Sequence, residues 1–319
     1  MSPDRPHVLI IGAGSIGTRH AANLAAAGAH VTITDPDPDR ARAAPADATI
    51  AFDLDALPAA DGIVVASPTR FHLDHARRAV ATGAAVMVEK PLAERSDGVD
   101  DLVRDAGPRL MVGYNLRLHP PIQRLVEMVE QGRVGRPLAH RLWFGSWLPD
   151  WRPGVDYRTT YSARAELGGG VLNDAIHELD LAVWLAGPDL TVVGAVVARL
   201  GPLEIDVEDT VRALLHTPQG VPVEIALDYL SRTYRRGIEV IGDEATVRLD
   251  WASATLQIEG PGAVETEPAD DPVSASYERE AEAFLRLVRG EGAAPVDGRA
   301  GLASLRLADA IRAAGAAAR

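Results

Sequence analysis

Through residue 118, short apolar runs alternate with stretches of helical periodicity, the pattern of repeated βαβ units on a parallel sheet. Val8–Ile11 reads as the first strand, followed by a glycine-rich turn and a helix from Ser15 to about Ala27. Further strands are expected at His30–Thr34, Ala48–Phe52, Gly62–Ala66, Ala84–Val88 and Leu110–Gly113. Helices are expected from Arg70 to Ala81, with Thr69 as N-cap, and from a capping Ser96 to Ala106. From Pro120 the pattern changes. A helix runs to Gln131, and then closely spaced strands dominate: Leu138–Trp147, Leu190–Leu200, Thr210–His216, Val221–Leu230, Arg236–Ile241, Ala245–Asp250 and Ala254–Glu259. That spacing predicts a largely antiparallel sheet, interrupted by one helix over Val171–Leu185. Residues 261–274, acidic and proline-containing, read as a surface loop. Helices over Ser276–Arg289 and Gly301–Ala317 follow. The expected class is α/β, in two domains, 1–118 and 119–319.

Length and composition narrow the function. A chain of 319 residues suits two domains of ~150 residues each. With 47% hydrophobic and 24% charged residues, global disorder is excluded. The net charge of −13, without a Lys/Arg cluster, argues against nucleic acid as a partner. No apolar run approaches the ~18–20 residues of a membrane span. No secretory leader is recognised, and a cytoplasmic protein is expected. The absence of cysteine removes disulfides, thiolate catalysis and Cys-ligated metals. One imbalance stands out. Of the 32 basic side chains, Lys90 alone is a lysine; the others are arginine. A lysine can give up its proton when its surroundings favour the neutral amine, whereas a guanidinium effectively cannot.

Gly12-Ala13-Gly14-Ser15-Ile16-Gly17 is a G-x-G-x-x-G fingerprint between a strand and a helix, the context that dinucleotide binding requires. Gly12 allows the tight turn, Gly14 lets a pyrophosphate approach, and Gly17 lets helix pack on strand. Ser15 and Ile16 open the helix whose N–H groups face the phosphates. Asp35, at the end of the second strand, is placed to accept hydrogen bonds from the adenosine ribose and to repel a 2′-phosphate. NAD is therefore the expected cofactor. Ser67, Pro68 and Thr69 follow the fourth strand and lie beside the same crevice. His72 suits a place near the cofactor and equally a surface position in the first helical turn.

The chain resembles the Gfo/Idh/MocA oxidoreductases, the glucose–fructose oxidoreductase and inositol dehydrogenase group. The likeness is carried by Glu89-Lys90-Pro91 after the fifth strand, by Gly113-Tyr114-Asn115-Leu116-Arg117, and by the run from Leu167-Gly168-Gly169-Gly170 to Asn173-Asp174-Ala175-Ile176-His177-Glu178-Leu179-Asp180. Asp150-Trp151-Arg152-Pro153 and the residues to Tyr161 resemble a subgroup associated with the biosynthesis of sugar derivatives. The resemblance implies a Rossmann domain, then an α/β domain with an open, mostly antiparallel sheet that serves as the interface of a homodimer or homotetramer. It also implies that the Lys90–Pro91 peptide bond is cis. Many members separate the catalytic Asp and His by four positions. Here Asp174 and His177 are three apart, with Asn173 four before the histidine. Either spacing keeps a pair on one helical face.

The expected chemistry is hydride transfer between nicotinamide and a hydroxyl or ketone of a sugar, sugar derivative or cyclitol. Lys90 polarises the reacting oxygen and relays its proton, with Glu89 beside it at the cofactor. His177 is the general base, its ordinary pKa lying near neutrality. Asp174 binds substrate or orients the imidazole. Asn115, Arg117, Trp151, Arg152, Tyr157, Arg158, Tyr161 and Asn173 are candidate substrate contacts: a guanidinium fork suits a carboxylate or phosphate, and a ring covers a sugar face. No metal is expected, because Asp174, His177 and Glu178 lack further ligands at recognisable spacing. Two alternatives stay open. One is an NAD-dependent glycosidase or dehydratase using transient oxidation. The other is a non-catalytic NAD-binding regulator.

Overall fold

The computed structural model describes residues 5–317. In chain order its first elements are β1 His7–Ile11, α1 Ser15–Ala26, β2 His30–Thr34, α2 Pro38–Ala43, β3 Ala48–Thr49, β4 Gly62–Val65, α3 His72–Ala81, β5 Ala85–Glu89, α4 Val99–Ala106 and β6 Leu110–Gly113. Then come α5 Pro120–Glu130, β7 Pro137–Gly145, α6 Val171–Asp174, α7 Ile176–Ala186, β8 Thr191–Ala198, β9 Thr210–His216, β10 Pro222–Asp228, β11 Arg235–Gly242, β12 Thr246–Asp250, β13 Thr255–Gly260, β14 Ala263–Pro268, α8 Val273–Arg289 and α9 Gly298–Ala317. They form two units. One holds the chain through Leu118 with Val273–Leu305; the other holds His119–Pro272 and the residues from Arg306.

The first unit is built on a six-stranded parallel sheet in the order β3-β2-β1-β4-β5-β6. Val8, Leu9, Ile10 and Ile11 are all fully buried, as a parallel strand covered on both faces must be. One cover joins Ala21 and Leu24 of α1 to Ala281, Phe284 and Leu285 of α8 in a single core with Val8, Ile10, Val64 and Met87. Gly62 makes room for α8: a Cβ there would lie 2.7 Å from Val288 and 3.1 Å from the Phe284 ring. Beyond α8 the chain meets β6 again, where Val112 N–H donates to Val296 O at 2.9 Å.

The second unit holds an eight-stranded sheet, β14-β13-β12-β11-β7-β10-β9-β8, antiparallel except between β7 and β10. Its buried face is lined by Leu142, Ile225, Leu227, Ile238 and Val240 and packs against α7, itself buried on nearly all sides. The opposite face is mixed. Glu239 accepts from Arg141 at 2.9 Å and from Arg248, while Val196 and Leu214 are 50% and 44% exposed.

Several local expectations change. The stretch 261–274 is not all loop. Ala263–Pro268 pairs with β13 as an edge strand, and α8 already starts at Val273. An edge strand exposed at nearly every position has no buried face to imprint alternation. The helix over 171–185 breaks at Ala175 (φ −96°, ψ 29°), so Asp174 ends one helix and His177 opens the next. Their pairing does not rest on a shared helical face. Thr69 begins a 3₁₀ turn, with α3 starting at His72, and the N-cap of α4 is Gly98 (φ +73°), not Ser96. The third strand shrinks to Ala48–Thr49. The short helix α2 was not foreseen, although Asp37 caps it by accepting from Asp39 and Arg40 N–H at 3.0 and 3.2 Å.

If α8 completes the first core, Phe284→Ala should lower unfolding stability by about 3–5 kcal/mol in urea titrations. A loss within ~0.5 kcal/mol, the range of surface changes, would show that the ring is not part of that core.

Candidate functional site

The nucleotide turn is set by contacts that only glycine allows. Gly12 has φ +107°, and a Cβ on it would lie 2.7 Å from the Ala66 carbonyl oxygen. A Cβ on Gly17 would lie 1.9 Å from the Gly12 oxygen. Gly14 differs: nothing lies within 4 Å of its Cβ position. It is the N-cap of α1 and brings no side chain to the first-turn N–H groups of that helix. The turn is thus close-packed behind and open in front, which fits a pyrophosphate on the N–H groups that Ser15 and Ile16 help to present. Asp35 closes the far end. Its Oδ2 accepts from Ala13 N–H at 2.7 Å and its Oδ1 from Asp37 N–H at 2.9 Å. These bonds fix the carboxylate at the lip of the turn, where a ribose would arrive.

The turns after β4 and β5 are tied together by His72, which is buried, with ring nitrogens 2.7 Å from both the Pro91 and the Ser67 carbonyl oxygens. Burial holds its pKa below the usual histidine value, against the two carbonyls. Ser67 Oγ lies 2.9 Å from His75 Nδ1; Pro68 leads into the turn that begins at the buried Thr69. Lys90 follows β5, half-buried, and its bond to Pro91 is cis. Glu89 is buried, its Oε2 accepting the Lys90 N–H at 3.0 Å. Asn115 is buried too and donates to Ser276 Oγ at 2.7 Å, which joins its turn to α8. Arg117 lies on the same turn, half-buried.

In the second unit, Asp174 and His177 are each 7% exposed. Tyr229 OH donates to Asp174 Oδ2 at 2.5 Å, and Tyr161 also hydrogen-bonds this carboxylate. Burial, then the Asp174 charge, keep both phenols protonated far above the usual tyrosine range, so both act as donors. Trp151 stands edge-on to Tyr229 at 5.2 Å, and Arg152 lies over the Tyr161 ring at 5.5 Å. Tyr157 and Arg158 are engaged elsewhere. The Tyr157 hydroxyl accepts from Glu204 N–H at 3.2 Å, and Arg158 pairs with Asp156 at 2.8 Å and Glu204 at 3.3 Å. Asn173 donates to Gly168 O at 2.9 Å and accepts from Arg312. The structure therefore gathers Trp151, Arg152, Tyr161 and Asp174, while it uses Tyr157, Arg158 and Asn173 to anchor loops.

Tyr229 and Glu208 carry no motif in the sequence, and Arg236, which reads there as half of a solvated Arg235-Arg236 pair, is instead buried. Tyr229 carried a signal, since it continues the inward alternation Val223, Ile225, Leu227. Glu208 Oε1 accepts from Leu172 N–H at 3.1 Å, in space that a Cβ on Gly170 would fill at 2.4 Å. Burial pushes its pKa up. Arg236 pairs with Glu178 through two bonds, at 2.6 and 3.1 Å, both side chains buried. Burial disfavours the guanidinium charge, but the Glu178 carboxylate more than restores it.

Strand order, glycine turn and terminal carboxylate together define the first unit as a dinucleotide-binding Rossmann domain. Residues 7–114 match the oxidoreductase family with an NAD-binding Rossmann fold, and residues 122–248 match the GFO/IDH/MocA C-terminal domain. The chain belongs to this family of NAD-dependent oxidoreductases. It is 30% identical to inositol 2-dehydrogenase of Rhizobium meliloti, over 81% of this chain and 80% of that one. It is 30% identical to the dTDP-3,4-didehydro-2,6-dideoxy-alpha-D-glucose 3-reductase of Streptomyces violaceoruber, over 79% and 76%. Among solved structures, the WlbA dehydrogenase of Bordetella pertussis, in complex with NADH and UDP-GlcNAcA, superimposes with a TM-score of 0.85 at 25% identity, covering 100% of this chain and 98% of that one. No helix among the described residues is long and apolar enough to cross a membrane.

The fixed Asp35 carboxylate should decide between nucleotides, because a 2′-phosphate brings about −1.5 to −2 charges against it. Binding titrations should favour NAD over NADP by at least ~10-fold, about 1.4 kcal/mol. Asp35→Ala should narrow or reverse that ratio; an unchanged ratio would take the carboxylate out of the choice.

Proposed function

We propose that the protein interconverts a secondary hydroxyl and a ketone on a sugar, sugar derivative or cyclitol. The unit containing β1–β6 binds the nucleotide, and the unit containing β7–β14 binds the substrate. One observation carries the substrate reading. Around Asp174 the chain gathers two phenols, an Arg–aromatic pair and the Trp151 indole, whose buried Nε1 has no hydrogen-bond partner among the described residues. Aromatic faces with a few convergent polar groups suit a polyol. Inositol and a deoxysugar nucleotide, the substrates named for two relatives, are both of that kind.

When bound, the nicotinamide supplies the hydride exchange at the carbinol carbon. Lys90 hydrogen-bonds the reacting oxygen and stabilises the charge that builds on it. His177 takes the hydroxyl proton in oxidation, with Lys90 as relay, and returns it in reduction. Asp174, held from two sides by Tyr161 and Tyr229, orients the imidazole or a substrate hydroxyl. Asn115, Arg117, Trp151, Arg152 and Tyr161 are the remaining substrate contacts we assign. We also infer that the outer face of the eight-stranded sheet, with Val196 and Leu214 beside the Arg141–Glu239–Arg248 ion pairs, joins a second copy in a homodimer or homotetramer. We place the enzyme in the cytoplasm, within reach of the NAD pool.

A panel of cyclitols and sugar nucleotides, followed by NADH absorbance, tests the reaction. His177→Ala should lower kcat/KM by ~10²–10⁴ while NADH affinity stays within a few-fold. Lys90→Arg should lose nearly as much activity as Lys90→Ala. Retention of most kcat in Lys90→Arg would mean that positive charge alone suffices, against the relay. Product without net NADH would instead favour a redox-neutral elimination. Light scattering at micromolar concentration should give a multiple of the 33.9 kDa chain mass; the single-chain mass would refute the association.

A further inference from the structure

Behind the nucleotide turn, three ionisable side chains from distant parts of the chain meet in a buried site. His20 comes from α1, Glu89 from the end of β5 and Glu280 from α8. They are 0%, 5% and 0% exposed, and each offers an atom within 4.8 Å of the others. Glu89 is fully engaged. Its Oε1 lies 2.6 Å from His20 Nε2, and its Oε2 accepts the Lys90 backbone N–H. Gly113 leaves room for it, since a Cβ there would come within 3.1 Å of the Glu89 Cδ. An ionised carboxylate only accepts, so Nε2 of His20 carries the hydrogen of that bond. Glu280 is the odd member. Neither of its oxygens has a hydrogen-bond partner among the described residues. Ionised, it would be a second buried carboxylate facing Glu89. The groups around it are Glu89 and His20, with Lys90 beyond Glu89, and Tyr277 edge-on to His20 with Arg19 over its ring.

We propose that His20, Glu89 and Glu280 work as one buried cluster, with the negative charge on Glu89 and a proton resident on Glu280, and that His20, acting through Glu89, is a positioning residue for Lys90. The proposal rests on the role given to Lys90 above. Two directions agree with it. Burial, then the Glu89 charge, push the Glu280 pKa far up. Burial works against Glu89 too, but the His20 hydrogen bond and charge, then the Lys90 charge, hold it below the usual range. The cluster fixes both the direction of the Glu89–Lys90 backbone and the sign of the charge beside the lysine. Removing the His20 donor frees the carboxylate to turn; ionising Glu280 would add a second charge and repel it.

The test exploits Lys90 being the sole lysine: protein labelled with [ε-¹³C]lysine gives one resonance, whose titration midpoint reads Lys90 directly. Glu280→Gln keeps the shape of the protonated carboxyl. It should leave that midpoint within ~0.2 pH units and kcat within ~3-fold. Glu89→Gln and His20→Phe should move the midpoint by ~0.5 units or more and lower kcat at least ~10-fold, and in His20→Phe the NAD dissociation constant should stay within ~3-fold. His20→Gln, which restores a donor, should recover part of the loss. A raised carboxyl pKa in the folded state gives stability that is lost as pH rises. The thermal midpoint of wild type should therefore fall progressively below that of Glu280→Gln above the ordinary carboxylate range. Three results would overturn the proposal: Glu280→Gln as damaging as Glu89→Gln, an unmoved Lys90 midpoint in Glu89→Gln and His20→Phe, or a stoichiometric divalent metal lost in Glu280→Gln. If Lys90→Ala kept full activity, the catalytic role of Lys90 would fall, and the midpoints would still decide the cluster.

Discussion

A parallel sheet has no face to give to water, and that constraint organises the first unit. β1 is buried at four successive positions, so helices must cover both sides of it. Covering α1 onto the sheet is possible only because Gly17 and Gly12 bring helix and strand closer than any side chain would permit. The same close approach leaves the first turn of α1 pointing at open space. Nucleotide binding is thus a by-product of covering the sheet: the geometry that buries hydrocarbon is the geometry that presents N–H groups.

In each unit the interior takes in polar groups as bonded pairs. Glu178 with Arg236, Asp174 with Tyr229 and Glu89 with His20 are each buried and each bonded at 2.5–2.6 Å. Leaving one partner of such a pair alone would cost ~3–5 kcal/mol for the ions, more than most surface contacts contribute. The pairs therefore act as rigid supports. Around Asp174 the support comes from neutral phenols, which orient the carboxylate without cancelling its charge. Around Glu178 a guanidinium cancels it, so Glu178 is structural although it lies next to His177.

Legibility in the sequence followed locality. The glycine turn, Asp35, the Glu89-Lys90-Pro91 triplet and the strands with alternating apolar positions could be read, because each is specified within a few residues. The break at Ala175 could not, since nothing in Asn173–Glu178 forbids a continuous helix; tertiary packing decides it. The edge strand Ala263–Pro268 was hidden because neither of its faces is buried. Tyr157 and Arg158 are of the types that contact ligands, and the structure also bonds both to Glu204, a partner that no local pattern announces. Residue type signals what a side chain can bond, whereas partners more than a hundred positions away, as for Asn115 and Ser276, leave no local trace.

The return of the chain after Pro272 has a consequence for how the protein is made. Synthesis delivers β1 to β6 early, yet the residues that close one face of their core, Phe284 and its neighbours on α8, emerge only after the whole of His119–Pro272. Until then the nascent Rossmann sheet offers an apolar surface with no permanent cover. On the ribosome the order of completion is inverted: the second unit has most of its strands while the first still waits. A message truncated just before the codon for Val273 would yield a chain carrying every glycine of the nucleotide turn and lacking the helix that covers its sheet.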